Sequence, residues 1–305
     1  MTAEVESQSG VVPGRPGRLA LPVEGSLREG FLGAFSSILA HACEQDVHAH
    51  PTTALHTFRK SVRRARALML LMEGFVGVDA HRALSVTLRA AHRATSDLRD
   101  RQVVAGAFQG AQPAQDDVVA QARSLGAGSD VTAPGVAAVA DAMQRGCERL
   151  ADLPAMLAGA MPSRIQWEAV TEGLAHSFRR ARRRLRAVEQ HGDDDTVHGL
   201  RKRIKELNYQ VELLTAHGGK RVRRRRKQLD RLAEELGQLV DLFVLRDHTI
   251  RHIAPDADHE QLLAAIADAR ATQLAQVVAH AQDVLDDSPR GYARRIVRAA
   301  RRRRA

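Results

Sequence analysis

Hydrophobic residues recur every three or four positions along most of this chain, which predicts helices rather than strands. The pattern is clearest in residues 55–72, LHTFRKSVRRARALMLLM. On a helix, one arc of this stretch carries Leu55, Phe58, Val62, Ala65, Met69 and Met72. The adjoining arc carries His56, Arg59, Arg63 and Arg66. Solvated charges normally lie opposite the apolar stripe, so cations beside it indicate a groove between packed helices with room for an anion.

The same pattern occurs a second time, 142 residues later, in VHGLRKRIKELNYQVELL. Both stretches contain H-x-x-R-K-x-[VI]-[RK], which aligns His56, Arg59, Lys60 and Arg63 with His198, Arg201, Lys202 and Lys205. The apolar arc of the second helix carries Val197, Leu200, Ile204, Leu207, Val211 and Leu214. LRAAHRATSDLRDRQVVA and LDRLAEELGQLVDLFVLR also match, with Asp100 over Asp241. Internal duplication of a helical unit explains both matches.

The apolar spacing and the Gly and Pro breaks predict the remaining elements. In the first half we expect helices over 27–47, 79–94 and 96–108, with Thr52 or Thr53 capping the first signature helix. Connecting helices are expected over 114–125 and 135–160. The second half should contain helices over 165–190, 222–236, 239–252 and 259–285, and a basic one over 289–304. Asp193, Asp194 and Asp195 should cap the second signature helix, and Gly218 with Gly219 should close it.

These elements predict a disordered arm over 1–24 and one helical domain over 25–305. Within that domain the first half covers 27–110, the connecting helices 111–162, the second half 163–287 and the basic helix 289–304. Lys and Arg number 46 against 36 Asp and Glu, an excess of 10 that favours a polyanionic partner. Cys43 and Cys147 lie far apart without metal-ligand spacing, so we expect no disulfide, no metal site and a cytoplasmic protein. The longest apolar stretch, residues 67–72, is too short to span a bilayer, so we expect no membrane span.

The two signature helices, each followed by an L-x-x-Asp helix, resemble the CHAD family, the conserved histidine α-helical domain. The resemblance covers residues 27 to 287 and implies two pseudo-symmetric four-helix bundles with a basic groove between them that binds inorganic polyphosphate. It implies ligand contacts for the signature cations, and for Arg179, Arg182 and Arg183 in SFRRARRRLRAV. Three positions depart from the family pattern: Asn208, Ala233 and Val240.

The candidate polyphosphate-binding residues are therefore His56, Arg59, Lys60, Arg63, Arg66, Arg179, Arg182, Arg183, His198, Arg201, Lys202 and Lys205. Asp100 and Asp241 could be an acid–base pair or metal ligands, but we interpret them as carboxylates that hold Arg or His side chains in place. No nucleophile elbow, phosphate-binding Gly loop or E-x-x-H motif occurs, so we expect no enzyme activity and no cofactor. Whether Arg221 to Lys227 and Arg301 to Arg304 contact ligand stays open.

Three functions fit these features, and we give them in decreasing order of agreement with the sequence. The first is non-catalytic polyphosphate binding that places the protein on polyphosphate granules. The second is nonspecific nucleic-acid or nucleoid binding, which the ten aromatic residues disfavour, because single-strand binders use stacking platforms. The third is a phosphatase or phosphotransferase that uses His56 or His198.

Overall fold

The computed structural model describes residues 21, 25–98, 134–215, 218–253 and 255–301, and these residues form helices joined by short turns. The all-α fold predicted from the apolar spacing is confirmed. In chain order the helices are α1 (Leu27–Cys43), α2 (Pro51–Leu71), α3 (Val78–Arg93), α4 (Val136–Leu150), α5 (Leu153–Ala160), α6 (Trp167–His191), α7 (Asp194–Leu213), α8 (Gly219–His252), α9 (Ala257–Leu285) and α10 (Pro289–Arg301).

The two signature helices, α2 and α7, pack against each other at the centre of the described fold. Their predicted apolar arcs are buried, with side chains such as Phe58 and Leu200 fully inaccessible to solvent. Gln210 Nε2 donates to the Ala67 carbonyl at 2.9 Å across this contact. α1 and α3 then pack on α2, while α6 and α8 pack on α7. The core therefore takes up the apolar arc of each signature helix, and the neighbouring arc with its cations lies beside the α2–α7 contact.

Close contact between helices depends on small residues at two crossings. A Cβ atom on Gly173 of α6 would lie 2.2 Å from the backbone oxygen of Leu71 at the end of α2. On Gly146 of α4 it would lie 2.4 Å from the Phe58 ring. Both distances are far below van der Waals contact, so glycine is required for α4 and α6 to reach α2 this closely.

Several predicted helix ends differ from the observed ones. The two helices predicted over 222–236 and 239–252 are one continuous helix, α8, because the single Gly237 between them is accommodated inside it. A Cβ atom at position 237 would lie 3.3 Å from an Arg201 nitrogen. Conversely, residues 135–160 form two helices. The first ends at Leu150, and after Ala151 and Asp152 a new helix begins at Leu153, with Pro154 in its first turn. α1 also ends four residues earlier than predicted, at Cys43.

Of the helix caps predicted from the sequence, only the one at α7 is confirmed. Asp193 accepts from the Thr196 backbone N–H at 2.7 Å, as predicted. The predicted Thr52 or Thr53 cap is wrong, because α2 begins at Pro51 with His50 as its cap residue and no side-chain cap bond. Gly218 and Gly219 begin α8 instead of closing α7, which ends at Leu213.

The expectation that the cysteines are unpaired is wrong: Cys43 at the end of α1 and Cys147 in α4 form a disulfide. Helix packing brings together two residues 104 positions apart, and no local spacing signals such a pair. The cysteine argument for a reducing cytoplasm therefore falls away, since disulfides persist mainly in oxidising compartments.

Parts of the predicted organisation lie outside the described residues. They include the arm over 1–24 apart from Leu21, most of the fourth helix over 96–108, the connecting helix over 114–125, and Asp100. The arrangement as two four-helix bundles therefore stays a prediction. Among the described helices, none is both long enough and apolar enough to cross a membrane.

Candidate functional site: two basic grooves along the signature helices

One groove runs between α2, α7 and the end of α3, with a volume of about 240 Å³, and we name it the α3-side groove. Six of its ten lining side chains are Arg or Lys, two are His and one is a carboxylate. They are Arg59, Arg63, Arg66, His92, His198, Arg201, Lys202, Lys205, Glu206 and Tyr209. The carboxylate, Glu206, already forms an ion pair with Arg203, which offsets its charge. The α3-side groove is therefore strongly positive.

A second groove lies between α2, α7 and α8, with a volume of about 390 Å³, and we name it the α8-side groove. Its cations are Lys60, Arg63, Arg64, Arg201, Lys205 and Arg226, with His56 beside them. Four carboxylates also line it: Glu212, Asp230, Glu234 and Asp241. The α8-side groove is therefore larger but much closer to neutral than its counterpart.

The two grooves share Arg63, Arg201, Lys205 and Tyr209, so these side chains stand between them. Residues that match at the 142-residue shift line opposite grooves. His56 and Lys60 line the α8-side groove, whereas the matching His198 and Lys202 line the α3-side groove. The internal duplication seen in the sequence is thus repeated in the geometry of the site.

The symmetry is broken by charge. Where the α3-side groove has Arg66, the α8-side groove has Asn208, one of the three residues that depart from the family pattern. The Asn208 amide donates to Asp230. An anion would meet one more guanidinium on the α3 side and an already occupied amide on the α8 side.

Two arginines of the signature helix α2 are held by the protein itself. Arg59 is only 8% exposed, and its Nη1 donates to the His92 carbonyl at 3.2 Å and to the Thr95 hydroxyl at 3.0 Å, at the end of α3. Arg64 donates from Nη2 to both oxygens of Glu212 at 3.0 Å. Both side chains contribute positive charge to a groove, but part of their hydrogen-bonding capacity holds helices together.

The Arg64–Glu212 pair belongs to a buried polar network between α2, α7 and α8. The Glu212 side chain is 5% exposed and also forms an ion pair with Arg226 at 3.4 Å. Arg226 in turn lies 3.5 Å from Asp230 on the same helix. Since a buried carboxylate is stable only with such partners, Glu212 fixes the floor of the α8-side groove.

Among the residues that line the grooves, His92 has the largest shift of its pKa. Burial, the largest cause, and repulsion from Arg59, Arg63, Arg66 and Lys202 together lower its pKa from 6.5 to about 3. Its buried Nε2 atom makes no hydrogen bond to any described residue. An uncharged imidazole with an unsatisfied ring nitrogen therefore sits among four cations at the α3-side groove.

Crowding of like charges also affects other lining groups. Although much of the Lys202 and His198 side chains is exposed, the pKa of each is lowered, first by desolvation of the charged group. The next causes are repulsion from Arg203 and Arg66 for Lys202, and from Arg201 and Lys202 for His198. For Lys60 burial and repulsion from Arg64 act in the same way. Such a cluster repels itself until an anion arrives.

The structure separates the other predicted site residues from these grooves. Arg179, Arg182 and Arg183 line a different cavity on α6, away from the signature cations. Asp241 lies at the α8-side groove, where its expected role in holding side chains stays a prediction, and Asp100 is outside the described residues. Within the described residues, no group of three or more His, Cys, Asp or Glu side chains could hold a metal ion.

Sequence analysis missed His92, Arg64 and Glu212. A signal for His92 was present, because Leu84, Leu88 and His92 are spaced by four, so the histidine ends the core-facing stripe of α3. Arg64 and Glu212 carry no comparable signal. They are 148 residues apart, and only the packing of α2 on α7 brings them together.

Comparison with known proteins agrees with the geometry. The sequence model of the CHAD domain matches residues 30–249. Among solved structures, the crystal structure of the CHAD domain from the plant Ricinus communis superposes with a TM-score of 0.53 at 21% identity. That match covers 91% of this chain and 97% of the plant chain. No curated protein sequence is significantly similar. Because the domain model spans well over half of the chain and the fold agrees, this protein belongs to the CHAD family.

Proposed function

We propose that this protein binds inorganic polyphosphate along the α2–α7 contact, principally in the α3-side groove. The observation that carries the proposal is the lining of that groove, where six Arg or Lys side chains face a single carboxylate that is already paired. Guanidinium and ammonium groups are the usual protein partners of phosphate oxygens. The protein belongs to the CHAD family, and this membership implies polyphosphate binding, so it supports the same ligand.

The composition of the groove favours polyphosphate over nucleic acid. Single-stranded nucleic acids are bound by cationic grooves that also carry aromatic side chains for base stacking. Tyr209 is the one aromatic residue that lines the α3-side groove, and it is only 8% exposed. A polymer of phosphates has no bases, so a narrow cationic groove is sufficient to recognise it.

We test this proposal with the double variant Arg66→Gln/Lys202→Gln, which removes two cations of the α3-side groove. Arg145→Gln/Arg149→Gln is the matched control, because it removes two cations from α4, which lines neither groove. Polyphosphate and duplex DNA are titrated at equal phosphate over several salt concentrations. Each cation that contacts phosphate releases counterions, so the groove variant should lose about 1–2 units of the slope of log affinity against log salt. The control should keep the wild-type slope.

Two results would contradict the proposal: equal polyphosphate affinity in the groove variant and the control, or equal competition by DNA per phosphate. The proposal extends to the cell, where polyphosphate binding would place the protein on polyphosphate granules. A fluorescent fusion should then co-localise with granules, and the groove variant should disperse. Wild-type localisation of that variant would separate granule targeting from this groove.

We further propose that binding occurs without turnover. The sequence contains no activated nucleophile motif, and the described residues contain no cluster suited to a catalytic metal. The grooves supply positive charge, which holds a polyanion but does not by itself provide an attacking group.

A further inference from the structure

The first turns of α8 carry seven Lys or Arg residues within eight positions, in KRVRRRRK. Two of them have partners inside the fold: Arg225 forms an ion pair with Asp287, and Arg226 lines the α8-side groove. The other five are exposed, on the arc of the helix opposite the buried Val222 and Leu229. These five are Lys220, Arg221, Arg223, Arg224 and Lys227. Within the described residues, none of the five forms an ion pair.

A second basic arc lies on α10, which packs beside α8. Four exposed arginines recur along it at intervals of three or four positions and form one stripe: Arg290, Arg294, Arg298 and Arg301. The opposite arc of α10, with Tyr292 and Ile296, is buried in the core. The first and last arginines of the stripe have only long, exposed ion pairs, at 3.6 and 3.9 Å, and pairs of this kind are weak.

Asp287, just before α10, holds the two helices together. It accepts from Arg225 of α8 at 2.8 Å and forms an ion pair with Arg295 of α10. Arg225 also lies over the Tyr292 ring, 5.9 Å from its centroid. The two basic arcs are therefore exposed on adjacent, connected helices. We name these nine exposed cations, five on α8 and four on α10, the α8–α10 face.

The α8–α10 face is separate from the two grooves, because none of its nine cations lines either of them. Its α10 half also lies beyond residue 249, where the match to the CHAD domain model ends. Cations on exposed helix surfaces suit a polyanion too wide to enter a groove. A nucleic-acid duplex is such a polyanion: it carries one negative charge per about 1.7 Å of its axis, on its outer surface.

Other partners fit the α8–α10 face less well. Single-stranded nucleic acid is bound with stacking aromatic side chains, but the one aromatic residue of residues 219–227 and α10 is Tyr292, which is buried. Helices that bind membrane surfaces insert an apolar arc between the lipids, whereas the apolar arc of α10 packs in the core. Among the described residues, the large exposed hydrophobic side chains all lie on other parts of the chain.

We propose that the α8–α10 face binds duplex nucleic acid through its phosphates, without sequence preference and independently of the grooves. Lys and Arg side chains placed against phosphates supply this kind of binding, and each contact releases counterions from the duplex. The proposal does not depend on polyphosphate binding. If both hold, one molecule binds polyphosphate and a duplex at the same time and links the two polymers.

The test uses one variant for each half of the face, Arg224→Gln/Lys227→Gln and Arg294→Gln/Arg298→Gln. Arg145→Gln/Arg149→Gln is the control, because it also removes two exposed cations. Binding of a short labelled DNA duplex is measured by fluorescence anisotropy at several salt concentrations. Each face variant should lose about 1–2 units of the slope of log affinity against log salt. The control and the Arg66→Gln/Lys202→Gln groove variant should keep the wild-type slope.

Polyphosphate and vesicles that contain phosphatidylserine are titrated in parallel, and circular dichroism checks that each variant keeps its fold. The face variants should bind polyphosphate as wild type does. The proposal is overturned if wild type does not bind the duplex at low salt, or if the face variants keep the wild-type slope. Losses of polyphosphate or vesicle binding as large as the loss of duplex binding would also overturn it. The groove variant tests polyphosphate binding separately, so failure of either proposal leaves the other standing.

Discussion

His92 should make polyphosphate binding dependent on pH. In the unliganded protein its pKa is lowered from 6.5 to about 3, so the imidazole is uncharged near neutral pH. A polyanion in the α3-side groove would offset the repulsion from Arg59, Arg63, Arg66 and Lys202, which line the groove beside it. The pKa of His92 should therefore rise on binding, and the complex should take up a proton. By linkage, affinity then increases as the pH falls below 6.5.

The size of the effect follows from the two pKa values. If the ligand returns the pKa of His92 to 6.5, affinity at pH 5.5 should be about tenfold higher than without this proton, or about 1.4 kcal/mol. That gain is an upper value, because burial, the first cause of the shift, remains in the complex. His198 should act in the same direction, since desolvation and then repulsion from Arg201 and Lys202 lower its pKa, and the ligand would offset the repulsion.

The perturbation is His92→Gln, which keeps a polar side chain but cannot titrate. Polyphosphate affinity is measured at pH 7.5 and 5.5, and calorimetry in buffers of different ionisation enthalpy counts the protons taken up. The variant should lose up to one proton of uptake and most of the gain specific to His92, while binding at pH 7.5 changes little. Equal proton uptake by wild type and variant would refute the reasoning.

Without ligand, the lowered pKa of His92 should affect folding stability, which falls at low pH, whereas polyphosphate affinity rises. Because the folded pKa of His92 lies below its ordinary value, the unfolded chain binds more protons between pH 6.5 and 3. This group therefore leaves stability unchanged above pH 6.5 and lowers it as the pH falls through that window, by up to about 1.4 kcal/mol per pH unit. His92→Gln should make the fall in unfolding free energy less steep, as measured by urea denaturation.

Two further predictions concern the buried network and the absence of turnover. Glu212→Ala should destabilise the protein by about 3–5 kcal/mol, because it removes the buried carboxylate that accepts from Arg64, whereas Arg231→Ala at an exposed pair should cost under about 1 kcal/mol. Urea denaturation measures both, and similar losses would contradict the role of Glu212. Purified protein should leave the length of polyphosphate unchanged on gels. Phosphate release that disappears in a His56→Ala variant of equal fold would contradict this expectation.

The sequence by itself determined the class of fold and the residues at its centre. Apolar spacing predicted α2 and α7, and their core arcs, including Phe58 and Leu200, are buried as expected. The repeated H-x-x-R-K motif indicated the family before any packing was known, and the domain match confirms it. These features could be predicted because helical periodicity relates residues only a few positions apart.

Only the tertiary structure decided which distant side chains meet. The disulfide joins Cys43 to Cys147, and the Glu212 carboxylate meets Arg64 across 148 positions. The structure also placed Arg179 in a cavity separate from the signature cations. Such contacts depend on where helices cross and how each is rotated about its axis, which side-chain packing between helices sets and no local pattern records. The sequence therefore identifies the cationic residues, but helix packing decides which of them line each of the two grooves and the separate cavity on α6.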